Sequence, residues 1–108
     1  MNLMQDAPNV VSEDGLRALL AEGHSADVLC RVTPTRTSAQ WSGAWTVHCL
    51  SPDGEMRRLL VTSRNNMVGR EFKTINGLVS FLAGLGVSIV SIPMLKGKVA
   101  SHKLDDAS

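Results

Sequence analysis

The sequence predicts an α+β domain: a small antiparallel or mixed four-stranded sheet with two helices on one face, in the order helix, strand, strand, strand, helix, strand. Three observations carry that prediction. Over residues 74–93 the apolar pattern changes period once. Ile75, Leu78, Val79, Leu82 and Leu85 recur at helical spacing with Phe81 on the flank, and Gly84 and Gly86 end the run. The β-branched set Val87, Ile89, Val90 and Ile92 then reads as a strand closed by Pro93. Residues 26–32 alternate, with Val28, Cys30 and Val32 on one face and Asp27, Leu29 and Arg31 on the other. Ser51-Pro52-Asp53-Gly54 is a turn in which Pro presets φ and Gly supplies the unusual one, so the strands on either side form an antiparallel hairpin.

The elements follow in chain order. Residues 1–10 are a polar, flexible lead. Ser12 is the N-cap of a first helix running to Glu22, with Val11 and Leu16 placed as a hydrophobic staple and Glu13 and Asp14 favouring the helix dipole. Leu16, Leu19 and Leu20 are its buried stripe, and Gly23 stops it. Pro34 ends the first strand, and the Thr/Ser-rich residues 33–43 read as an exposed connection. The second strand spans residues 45–50 with Trp45, Val47 and Cys49 inward. The third spans 56–62 with Leu59 and Val61 inward and Arg58 outward. Residues 63–70 interrupt all periodicity, and 71–73 are either loop or a brief strand before the Thr74 cap. Residues 11–93 thus form one domain, and residues 94–108, thin in apolar anchors, are expected to be a flexible charged tail.

Composition narrows the function classes. Hydrophobic residues make up 44% and charged residues 19% of the 108, which is globular rather than disordered composition. No signal peptide and no membrane-spanning run are present, so the expected compartment is the cytoplasm. The net charge is only +1, but it is uneven: residues 1–30 carry −4, residues 31–104 carry +7 and the last four carry −2. That asymmetry suits nucleic acid as a partner, and it also suits a neutral binding module.

Catalytic and metal chemistry find no pattern to rest on. Cys30 and Cys49 lie on consecutive strands and read as buried reduced thiols, with a disulfide between neighbouring strands as the alternative. Two cysteines and three scattered histidines make no zinc motif, and no cofactor is implied. His48 adjoins Cys49 in a strand, so the two side chains point to opposite faces and cannot form a nucleophile–base pair. Gly84 and Gly86 lie at a helix end, without the spacing or Lys-Ser/Thr of a phosphate loop. The chain is therefore read as non-enzymatic. The candidate nucleic-acid-binding set is Arg64, Asn65, Asn66, Arg70 and Lys73, gathered before the second helix. There arginine can clamp phosphate, asparagine can read a base edge and a helix N-terminus offers free donors. The other reading of this stretch is a solvated charged loop. Trp41, in a polar connection, either caps the core or is the candidate partner-binding anchor.

Several segments together resemble a known family. They are the Leu-rich residues 15–23, the Gly43-Ala44-Trp45-Thr46-Val47 strand entry, and Arg64. Residues 70–82 (Arg70-Glu71-Phe72 through Leu78-Val79-Ser80-Phe81-Leu82) and Leu85-Gly86-Val87 complete the set. As an ensemble they resemble the partition-associated, ParC-like proteins of plasmids and integrative elements. The resemblance implies a non-catalytic accessory protein of partition or element maintenance. It singles out Trp45, Arg64, Arg70, Phe72 and Leu82, with the two arginines as the functional pair. The expected partner is duplex DNA or a partition protein. The alternative is a protein-interaction or homodimerisation module without nucleic-acid contact.

Overall fold

A computed structural model describes residues 9–62 and 68–104. In chain order the elements are β1 (Val10–Val11), α1 (Glu13–Ala21), β2 (Ser25–Thr37), β3 (Gln40–Leu50), β4 (Arg57–Leu60), β5 (Glu71–Thr74), α2 (Ile75–Leu85) and β6 (Val99–His102). The α+β class holds, but the four-stranded helix-strand-strand-strand-helix-strand arrangement does not. The strands build a six-stranded mixed sheet that curls into a half-barrel, in the order β1-β4-β3-β2-β6, with β5 also paired to β3. β1 runs parallel to β4, and the other pairings are antiparallel. No helix among the described residues is long and apolar enough to cross a membrane.

The helices form where their local chemistry starts and stops them. Ser12 caps α1 by accepting from the Gly15 amide at 3.0 Å, and Thr74 caps α2 by accepting from the Gly77 amide at 3.0 Å. α2 ends at Gly86, whose φ of 105° is the left-handed cap that glycine adopts without steric cost. Leu16 and Leu20 of α1 join Leu78, Phe81, Leu82 and Leu85 of α2 in one core. That core lies against the inward residues Ala26, Val28 and Cys30 of β2 and Trp45, Val47 and Cys49 of β3. Both cysteines are free and buried. Cys30 pairs across from Trp45 and Cys49 from Ala26, so four residues separate the thiols along the ladder, too far for a disulfide. Burial raises both thiols above the ordinary cysteine pKa.

Three departures from the expected pattern have physical causes. First, β2 does not stop at Pro34. Register shifts between Cys30 and Val32 and between Val32 and Thr35 mark bulges, and a bulge tolerates a proline because its amide is not needed in the ladder. The first shift also turns Val32 onto the outward face opposite Ala44, where it is 54% exposed rather than buried. Second, β4 is out of phase with expectation. Its pairing places Arg58 beside inward Cys49 and Leu59 beside outward His48, so Leu60 enters the core and Arg57 faces outward. Third, residues 87–92 are not a strand. They form a strap over the core, with Val87 buried and Val90 and Ile92 packed against it. β-branched composition there reflects burial, not ladder pairing.

The edge of β2 is taken instead by β6, from the stretch read as a tail. Ala26 pairs with His102 and Leu29 with Val99. His102, 4% exposed, ties strap to sheet: its Nε2 accepts from the Ser91 amide at 2.9 Å, leaving Nδ1–H to donate to the Ala26 carbonyl at 3.2 Å. Trp45 fixes the strap's far end, its indole N–H donating to the Pro93 carbonyl at 2.8 Å.

Candidate functional site

Residues read from sequence as an exposed connection are the distal half of a long hairpin. β2 and β3 stay paired out to Thr37 and Gln40, so only Ser38 and Ala39 form the turn. Ser38 takes a φ of 59°, the positive value that two-residue hairpin turns require at their first position. The end of this hairpin is an arm: residues 35–42 are exposed. The other edge of β3 is covered by β5 only as far as Ser42, opposite Thr74, where the Thr74 cap turns the chain into α2. Beyond that point Gln40 and Trp41 have no strand on this edge among the described residues.

An open groove of about 790 Å³ occupies the space between the arm and α2. Thr37, Ser38, Ala39, Gln40 and Trp41 form one wall, and Ile75, Asn76 and Val79 the other. Ile75 and Val79 are half-buried neighbours one turn apart on α2, and Ile75 also packs against the core. Trp41 is 39% exposed. None of the described lining residues is charged. Sequence reasoning placed Ile75 and Val79 in the apolar stripe of the helix, where Ile75 does pack against the core, and did not foresee that both line a groove with Gln40 and Asn76. Only the hairpin's length brings these residues together, and Pro34 concealed that length.

The basic set divides differently. Arg64, Asn65 and Asn66 lie outside the described residues. Lys73 is exposed and pairs with Glu71 at 2.9 Å. Arg70 is committed to intramolecular partners. Its guanidinium lies over the rings of Phe72 and Phe81, 4.9 and 4.8 Å from their centroids, and its Nη1 meets Glu13 Oε1 at 3.1 Å. The two rings pack at 4.9 Å, tilted by 44°. Glu13 also pairs with Arg17 at 3.3 Å, and Arg17 Nη1 donates to the Gly84 carbonyl at 2.8 Å. Arg70 thus joins the start of α1 to β5 and α2.

A cation over two rings and a half-exposed ion pair together contribute on the order of 1–2 kcal/mol. Arg70→Gln is therefore expected to lower the midpoint of denaturant unfolding measurably. An unchanged midpoint would show that these contacts do not hold the helices. Comparison with protein families, characterised proteins and solved structures returns no match.

Proposed function

We propose that this chain is a non-catalytic binding module, and that an extended, uncharged segment of a partner protein lies in the groove between the hairpin arm and α2. The observation that carries this reading is the end of strand pairing at Ser42 and Thr74. It leaves the Gln40 and Trp41 edge of β3 lining a groove instead of a ladder. An extended peptide can add to such an edge through main-chain hydrogen bonds, while side-chain pockets supply selectivity. Trp41 offers the large, rigid anchor that concentrates binding energy, and the uncharged walls give a phosphate backbone no counter-charge. The resemblance to the partition-associated family would make the partner a partition or maintenance protein, a reading that the neighbouring genes would test. Direct DNA contact through the basic loop has less support, since Arg70 and Lys73 already hold partners.

A selection of displayed random peptides against the domain tests the groove. Trp41→Ser and Val79→Arg are each expected to weaken the enriched peptides by at least about tenfold, the scale of an interface hot spot. Equal binding by both variants would overturn the assignment. A solution mass that doubles with concentration and reverts in Trp41→Ser would make the occupant a second copy of the chain.

A further inference from the structure

The sheet face turned away from the helices carries a second hollow, of about 400 Å³, separate from the groove. Its lining brings together Arg31, His48 and Arg57 with the apolar side chains of Val10, Leu29 and Leu59 and with Asn9. The fold assembles these groups from three strands. Arg31 is the extra residue of the first β2 bulge, a feature that commonly re-aims a side chain. His48 lies on the outward face of β3, and Arg57 points outward because β4 runs in the phase described above. Neither arginine has an ion-pair or hydrogen-bond partner among the described residues. Among the described residues, the imidazole Nδ1 of His48 is buried without a partner. A buried acceptor left unmet costs less than a buried donor left unmet, which places the neutral ring's proton on Nε2.

We propose that Arg31, His48 and Arg57 form a binding site for a phosphate group. The two guanidiniums supply charge and paired donors, His48 Nε2–H supplies a further donor, and the apolar lining of Val10, Leu29 and Leu59 receives the uncharged part of the ligand. Other charged groups on this face limit the charge available without cancelling it. Asp27, opposite His48, is engaged by the hydroxyls of Ser25 at 3.0 Å and Ser101 at 2.7 Å. Glu71, opposite Thr46, pairs with Lys73. Burial, and then Arg57, lowers the His48 pKa below the ordinary histidine value, with Arg31 acting the same way and Asp27 opposing. A bound phosphate introduces negative charge beside the ring and so favours its protonated form. Ligand binding and the His48 titration are therefore linked.

The test is an NMR titration of the wild-type chain with inorganic phosphate, against chloride at equal ionic strength, following the His48 ring and the amides around Arg31 and Arg57. The expected result is saturable shifts centred on these three residues and a rise in the His48 pKa when phosphate is present. Arg31→Gln and Arg57→Gln should each weaken binding by about tenfold. Arg58→Gln removes the same charge from the inward side of the same strand and should leave binding unchanged. A parallel arm with a short DNA duplex separates the sources of phosphate. Tighter binding by the duplex, with a steep salt dependence, assigns a nucleic-acid backbone, whereas phosphate outcompeting duplex assigns a small phosphate ester. The proposal is overturned if phosphate produces no localised shifts. It is also overturned if Arg58→Gln weakens binding as much as the two site variants, since that outcome reports net charge alone.

Discussion

Replacing Trp45 by alanine is expected to cost about 3–5 kcal/mol, a large share of the roughly 5–15 kcal/mol that holds a domain folded. Trp45 is fully buried at the centre of β3, where the core from both helices converges, and its indole N–H holds the strap at Pro93. Two effects therefore add in the alanine variant, a cavity in the core and a carbonyl left without its donor. Trp45→Phe separates them. It keeps most of the apolar volume and loses the hydrogen bond, for which about 1–3 kcal/mol is expected. Denaturant unfolding of the pair checks this. If the phenylalanine variant matches wild type, the indole hydrogen bond does not hold the strap.

Gly43→Ala is expected to destabilise by about 1–3 kcal/mol, the usual range for overpacking. Gly43 faces the second bulge of β2, and a Cβ there would stand 2.7 Å from the Val32 carbonyl oxygen and 3.0 Å from Pro34 Cα. Both obstacles are backbone and cannot swing away. The same substitution at Gly84, in the last turn of α2, meets nothing within 4 Å. It should stabilise by up to about 1 kcal/mol through helix propensity. Thermal melts of the two variants should therefore move in opposite directions. A neutral Gly43→Ala would mean that the arm relaxes around its bulge.

Where a structural cue was local, the sequence revealed it. The Ser12 and Thr74 caps, the Gly86 stop and the Ser51–Gly54 turn each act within a few residues, and the turn closes as expected with the Gly54 amide on the Ser51 carbonyl at 2.9 Å. The inward phase of Val28, Cys30, Trp45, Val47 and Cys49 was equally legible, because each follows from alternation alone. The misreadings depend on events remote in sequence. Pro34 stops a regular strand but not a bulged one, and the bulge packs closely on Gly43 across the ladder, where a Cβ would meet the Val32 carbonyl and Pro34. Val99-Ala100-Ser101-His102 has little intrinsic strand character, and becomes β6 because β2 offers an edge and His102 finds the Ala26 carbonyl. For the site, Trp41 was visible as an isolated aromatic in polar surroundings. Its neighbours across the groove were not, since they come from α2. Arg70 read as a free cation because Glu13, its partner, lies 57 residues earlier in the chain.

β4 and β5 run in the same direction along one edge of β3, so together they read as a single strand with an excursion between them. The excursion leaves and returns at one point, closed by the Val61–Gly69 bridge and by the Thr62 amide on the Val68 carbonyl at 3.1 Å. Chain added between those two residues incurs only loop-closure entropy, roughly 0.6 kcal/mol for each doubling of length. The pairing of Val61 with Gly69 and of Thr62 with Val68 thus makes a closed base at the point where the chain leaves and rejoins this edge. Chain inserted at this base is expected to carry little penalty to folding. A reporter peptide spliced in at the same point would inherit that tolerance.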